Sequence, residues 1–223
     1  MAERREEKYL ISYAEYAVIA NRVRGVMTPD ANGDRGRYSI CSLYFDDAYD
    51  TAFDDKEDGN AIHIKFRVRT YDGNGKFIRL ERKTKRGVIT EKHSSVITGS
   101  ELDAIISGKS VSENADCFGL VSEMRAKGVA PKINVRYDRE AYHIPTLGVR
   151  VTFDFNIEYL PADKNALFGD LSRAVPAMGK DKVVMEIKYA ERCPALVRKI
   201  CGGFGMQTSV SKYALCRTAQ RPM

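Results

Sequence analysis

Between residues 64 and 69 the chain alternates strictly: Ile64, Phe66 and Val68 are apolar, while Lys65, Arg67 and Arg69 are cationic. Successive side chains of a strand point to opposite faces, so this alternation predicts a strand with one apolar and one basic face. The run from 76 to 87 repeats it, with Ile78 and Leu80 on one parity and Arg79, Glu81, Lys83 and Lys85 on the other. Further along, Val149, Val151, Phe153 and Phe155 oppose Arg150, Thr152 and Asp154. In 182–189, Val183, Met185, Ile187 and Tyr189 oppose Glu186 and Lys188. At the start of the chain, Tyr9 and Ile11 oppose Glu6 and Lys8.

The same period-2 signal predicts strands over 3–11, 37–46, 61–72, 76–87, 88–99, 131–145, 149–160 and 182–190. Gly73-Asn74-Gly75 predicts a hairpin turn, and the third, fourth and fifth strands form an antiparallel meander. Thr146-Leu147-Gly148 turns a second hairpin. Tyr16, Ile19, Ala20 and Val23 recur at helical spacing after Ser12, a predicted N-cap. Short helices follow at 48–59, closed by Gly59, and within 99–128, where Ser100 and Ser112 serve as caps. Residues 161–181 read as an irregular loop, and helices over 193–205, with Pro194 in the first turn, and 208–217 complete the chain.

Helices need an apolar surface to pack on, and the apolar strand faces are the available ones. The charged faces then point into a closed sheet. The expected fold is therefore α+β: a mostly antiparallel eight-stranded β-barrel, or tunnel, with a basic polar lumen and helices packed outside, forming one domain over residues 1–223. The plainer alternative has each charged face looking at water, which is the ordinary state of a single antiparallel strand. Recurrence on five strands weighs against it. Unpaired buried cations are costly, so such a lumen makes sense only if it is wet and meant for polyanions.

Composition narrows the setting. In 223 residues, 36 Lys and Arg exceed 30 Asp and Glu, for a net charge of +6. That excess is modest, so an anionic partner depends on the cations converging. Five widely spaced cysteines with no CxxC pair argue against structural zinc and for a reduced, cytoplasmic setting. The charged N-terminus is not a signal peptide, and no apolar run reaches the roughly 18 residues a membrane helix needs.

In order along the chain, REEKYLIS, SLYFDD, IKFRVRTY, LERKTKRG, YDREAY, RVTFD, MEIKY and SKY resemble the VTC domain. This is the polyphosphate-polymerase branch of the CYTH, or triphosphate tunnel metalloenzyme, superfamily. The likeness runs from about residue 4 to 215. It implies an eight-stranded tunnel that binds a nucleoside triphosphate or polyphosphate, with a divalent cation on a glutamate. Carried onto this sequence, it implies phosphoryl contacts from Lys8, Arg67, Arg69, Lys83, Lys92, Arg139 and Arg150. Lys65 shares the face of Arg67 and joins them as a substrate contact. Glu186 stands at the metal-binding glutamate, assisted by Glu6, with Lys188 beside it, while Ser211 and Lys212 close the site. Mn²⁺ or Mg²⁺ is the implied cofactor, and ATP with inorganic polyphosphate or triphosphate the implied partners; no nucleic acid is expected, and a membrane-protein partner stays open.

Two features depart from the pattern. The superfamily's E-x-E-x-K start is Arg4-x-Glu6-x-Lys8 here, one carboxylate fewer. Arg139 has the parity of Val135 and Tyr137, so either a bulge re-aims it or Arg136 is the ligand. Glu81 reads equally as metal ligand and as ion-pair partner of Arg67 or Lys83. The implied activity is a metal-dependent phosphotransferase adding the ATP γ-phosphoryl group to a polyphosphate chain. A triphosphatase and a non-catalytic polyphosphate-binding module are the alternatives.

Overall fold

A computed structural model of the chain describes residues 5–57, 60, 62–87, 89–203 and 205–221. Its strands are β1 (Arg5–Ser12), β2 (Thr28–Pro29), β3 (Arg37–Asp46), β4 (Ile62–Tyr71), β5 (Asn74–Arg86), β6 (Ile89–Ile97), β7 (Ala130–Ile144), β8 (Val149–Leu160), β9 (Val175–Pro176), β10 (Lys182–Tyr189) and β11 (Met206–Gln207). Its helices are α1 (Tyr13–Arg24), α2 (Thr51–Glu57), α3 (Gly99–Ile106), α4 (Phe118–Ala126), α5 (Lys164–Leu167), α6 (Ala195–Cys201) and α7 (Lys212–Gln220). All the long strands expected from the alternation form, and the three additions are two residues each. Arg4 of the N-terminal pattern and Gly59 lie outside the described residues.

The chain packs into two compact units woven from alternating segments. The first holds Met1–Ser39, Tyr137–Ile157 and Met178–Val210, and the second Ile40–Arg136, Glu158–Ala177 and Ser211–Met223. In the first unit, β10 pairs antiparallel with β1 on one side and β8 on the other. The apolar parity of these strands (Ile11, Val151, Phe153, Val183, Met185 and Ile187) packs with Tyr16, Ile19, Ala20 and Val23 of α1 and Val197 and Cys201 of α6. Ser12 caps α1 as its position demands: its hydroxyl accepts from the Glu15 amide at 3.2 Å, while Glu15 accepts from the Ser12 amide at 2.6 Å.

In the second unit, β3, β4, β5 and β6 run antiparallel in sequence. Leu43, Phe45, Phe66, Val68, Ile78 and Leu80 pack with Leu102 and Ile105 of α3 and Val121 and Met124 of α4. Neither expected serine cap is used there. Thr98 caps α3 with Glu101 as its reciprocal partner. α4 begins only after Cys117, because Ser112 instead accepts from the Asn114 amide and closes a turn. The β4–β5 turn sits one residue earlier than expected: Asp72 (φ 51°) and Gly73 (φ 62°) are both left-handed, the backbone of a type I′ hairpin.

The expected closure into a barrel is also overturned. The hydrogen-bonded strand order is β11-β1-β10-β8-β7-β3-β4-β5-β6, with β2 on β7 and β9 on β8. That path has two ends, so the sheet is open and not a closed barrel. Alternation tells each strand which face is apolar, but closure requires pairing between the end strands, which alternation does not encode. β6 carries a blunted edge, with Glu91, Lys92 and His93 exposed.

Candidate functional site

The second unit carries a concentrated basic face. Lys65 of β4, Lys83 of β5 and Lys92 of β6 stand directly opposite one another in register. Arg67 stands opposite Glu81, and Arg69 opposite Arg79. Like charges side by side on neighbouring strands destabilise a sheet. The acid among them is Glu81, which is 1% exposed. Arg67 grips one Glu81 oxygen through Nε at 2.7 Å and Nη2 at 2.6 Å, and Lys92 pairs with the other. Burial alone would raise the Glu81 pKa, but Arg67, Arg69 and Lys92 outweigh it and hold it at about 2. Of the two readings open for Glu81, the geometry is that of an ion-pair partner.

Behind these cations stands a polar scaffold on β3. Arg69 Nε donates to Ser42 Oγ at 3.1 Å, and Arg67 Nη1 to the Tyr44 hydroxyl at 3.0 Å. Lys65 Nζ donates to Ser211 Oγ at 3.1 Å and lies 5.3 Å from the centre of the Tyr213 ring. Ser211 also caps α7, which begins at Lys212, and Tyr213 donates to the buried Asp46 at 2.6 Å. Asp46 accepts in turn from the Ala52 and Phe53 amides, so it ties α7 to α2.

The first unit carries a different face, in which cations and carboxylates balance. Lys8 faces Glu186 and Glu6 faces Lys188 across β1 and β10, while Glu186 faces Thr152 and Lys188 faces Arg150 across β10 and β8. Lys8 pairs with Glu6 at 2.8 Å; Lys188 pairs with Glu186 at 2.5 Å and reaches Glu6 at 3.5 Å. Arg150 pairs with Asp30 at 2.5 Å and donates to the Tyr38 hydroxyl at 2.8 Å. Burial would raise the Asp30 carboxyl, yet Arg150 holds it below the usual range.

Arg139 resolves its parity conflict here. It forks onto Asp154, with Nε at 2.7 Å and Nη2 at 2.8 Å, and so joins the charged face of β8. On β8, Asn156 takes a left-handed φ of 47° and donates to Asp138, while Arg139 lies over the Tyr137 ring at 5.3 Å. Arg136 lies in the second unit, paired with Glu158 at 3.2 Å.

The expected residues thus fall into two sets. Lys65, Arg67, Arg69, Lys83, Lys92, Ser211 and Lys212 belong to the second unit. Glu6, Lys8, Arg139, Arg150, Glu186 and Lys188 belong to the first. The sequence reading missed Ser42 and Tyr44, although they and Asp46 alternate on one parity of SLYFD, the same signal used for the other strands. It also missed Asp30, a loop residue with no periodic signal. Thr152 was placed on the charged face without a role. It is 2% exposed, and its hydroxyl finds no hydrogen-bond partner among the described residues.

Among the described residues no group of three or more His, Cys, Asp or Glu forms a ready-made metal cage. Glu186 and Glu6 do share Lys188 on adjacent strands. Mg²⁺-type ions bind through one or two carboxylates and complete their shell with water and substrate phosphate, so this pair fits an ion that arrives with its substrate.

Fold and site together define an antiparallel α+β protein whose strands present cations suited to phosphate oxygens. The family model of the VTC domain matches residues 3–219, and the chain belongs to that family. Among solved structures, the PH1819 protein of Pyrococcus horikoshii OT3 aligns over 95% of this chain and 97% of its own, with TM-score 0.50 and 15% identity. A candidate adenylate cyclase of Bacillus halodurans aligns over 84% of this chain and 80% of its own, with TM-score 0.51 and 9% identity. At such identities the likeness is one of fold. No curated protein matches the chain.

Proposed function

We propose that the chain is a divalent-metal-dependent phosphotransferase that moves the γ-phosphoryl group of ATP onto a polyphosphate chain. The observation that carries this reading is the in-register row Lys65, Lys83 and Lys92 beside Arg67 and Arg69. Three ammonium groups abreast repel one another, and a run of phosphates, with a charge on every residue, relieves them. Membership of the VTC family supports the same substrate class.

Phosphoryl transfer asks little covalent work of a protein and much charge placement. Arg67 and Arg69 supply forked donors for equatorial phosphoryl oxygens, and the lysines supply point charges. Mn²⁺ or Mg²⁺, held by Glu186 with Glu6 assisting, would neutralise charge developing on the transferred group. In this reading Lys188 and Lys8 hold those carboxylates ready until the ion binds. Arg150 orients phosphoryl oxygens, and Arg139, locked onto Asp154, stiffens the same face. ATP and polyphosphate are then the small-molecule partners.

The test incubates the protein with ATP and Mn²⁺, with and without a short polyphosphate primer, and resolves products on a gel. The expected result is a ladder of lengthening chains, lost in Glu186→Ala and Arg67→Ala. Phosphate release without a ladder would make the protein a triphosphatase. Binding of polyphosphate without turnover would make it a binding module.

A further inference from the structure

Tyr44 stands directly across from Arg67 in the β3–β4 ladder. Its ring stacks on Tyr213 with centroids 4.9 Å apart and planes 26° from parallel. The residue is 8% exposed, and its hydroxyl oxygen accepts from Arg67 Nη1 at 3.0 Å. A phenol also has a proton to give. At five other tyrosines that proton goes to a carboxylate: Tyr213 donates to Asp46, Tyr16 and Tyr142 to Glu140, Tyr9 and Tyr189 to Glu7. For Tyr44 no acceptor stands in place among the described residues.

The surroundings say what acceptor is fitting. Burial would raise this phenol, but Arg67, Arg69 and Lys65 outweigh it and hold the group below the ordinary tyrosine value. Their charge favours an anion at the position the proton addresses. Glu81, the carboxylate that Arg67 holds, is already taken by Arg67 and Lys92, and Asp46 accepts from Tyr213. A buried donor left without a partner costs stability, and a phosphoryl oxygen is the acceptor that this face is equipped to hold.

We infer that Tyr44 contacts the substrate directly, donating its hydroxyl proton in a hydrogen bond to a phosphoryl oxygen alongside Arg67. This rests on the phosphoryl-binding reading above. It adds to that reading a neutral donor whose direction is fixed by the Tyr213 stack. A hydroxyl at that place discriminates by geometry where lysines discriminate by charge alone, so it favours a chain seated in one register.

The experiment is calorimetric titration of the full chain with tripolyphosphate at several salt concentrations, for wild type, Tyr44→Phe and Arg67→Ala. Tyr44→Phe is expected to melt near the wild-type temperature and to bind about tenfold more weakly or worse, as loss of a charge-assisted hydrogen bond requires. Its salt dependence should match wild type, because no charge is removed, whereas Arg67→Ala should flatten it. Wild-type affinity in Tyr44→Phe overturns the inference while leaving the phosphoryl-binding reading intact. Weak binding with a flattened salt dependence overturns it too, since the hydroxyl would then act only by holding Arg67. Loss of a cooperative melt in Tyr44→Phe would make the hydroxyl structural and overturn it likewise. A wild type that does not bind tripolyphosphate removes both readings together.

Discussion

At the scale of single residues, Glu81 is the pivot of the basic face. It is the buried acid that Arg67 and Lys92 both hold, and its pKa is lowered to about 2. A carboxyl with a depressed folded-state pKa contributes stability above its unfolded value near 4.3, and that contribution is lost as pH falls toward the folded value. Acid unfolding should therefore show a loss of stability between about pH 4.5 and pH 2 that Glu81→Gln lacks. The same substitution should cost about 3 kcal/mol at neutral pH, since it leaves Arg67 half-buried without its counter-charge. Denaturant melts of both proteins across pH check this, and parallel curves would remove Glu81 from its central place. The parity of Glu81 was legible in the sequence. Its role was not, because a carboxylate among cations in sequence is equally a metal ligand until side-chain distances are known.

At the scale of elements, the β4–β5 hairpin shows how local chemistry sets register. Asp72-Gly73 takes the two left-handed positions of a type I′ turn, and a register shift between Tyr71 and Arg69 then sets Lys65 opposite Lys83 and Arg67 opposite Glu81. Gly73→Ala puts a Cβ at φ 62° and 3.2 Å from the Phe168 carbonyl oxygen. It should cost about 1–2 kcal/mol by thermal or denaturant melt, and a neutral result would mean the turn relaxes without strain. The helix starts carry the opposite lesson. Ser12 was legible as a cap because Glu15 follows three residues later, whereas Ser100 and Ser112 lost out to Thr98 with Glu101 and to a local turn. A capping serine is recognised by its reciprocal partner more than by its own identity.

At the scale of the whole molecule, charge is distributed unevenly. The first unit balances Lys8, Lys188, Arg139 and Arg150 against Glu6, Glu186, Asp154 and Asp30. The second sets Lys65, Lys83 and Lys92 abreast across three strands, with Arg67 opposite Glu81 beside them. Stability surrendered to such a row is typical of binding surfaces. Lys83→Gln should accordingly raise the melting temperature without ligand and shrink the further rise that tripolyphosphate brings to wild type. A Lys83→Gln protein that melts lower without ligand would show that the row is not under electrostatic stress. No helix among the described residues is long and apolar enough to cross a membrane.

The sequence by itself determined the strands, the parity of each, and the side on which helices pack, because these follow from period-2 and period-3.6 burial of apolar side chains. Through the ordered motifs it also pointed to the family that the chain belongs to. Tertiary structure alone decided the rest. The strand path is open, since edge pairing is set by distant segments and not by local alternation. Arg139 rather than Arg136 joins Asp154, a pairing fixed by side-chain distances across strands that the parity of one strand does not encode. Tyr44 meets Arg67 on the neighbouring strand and Tyr213 because α7, far along the sequence, packs against that pair within one unit.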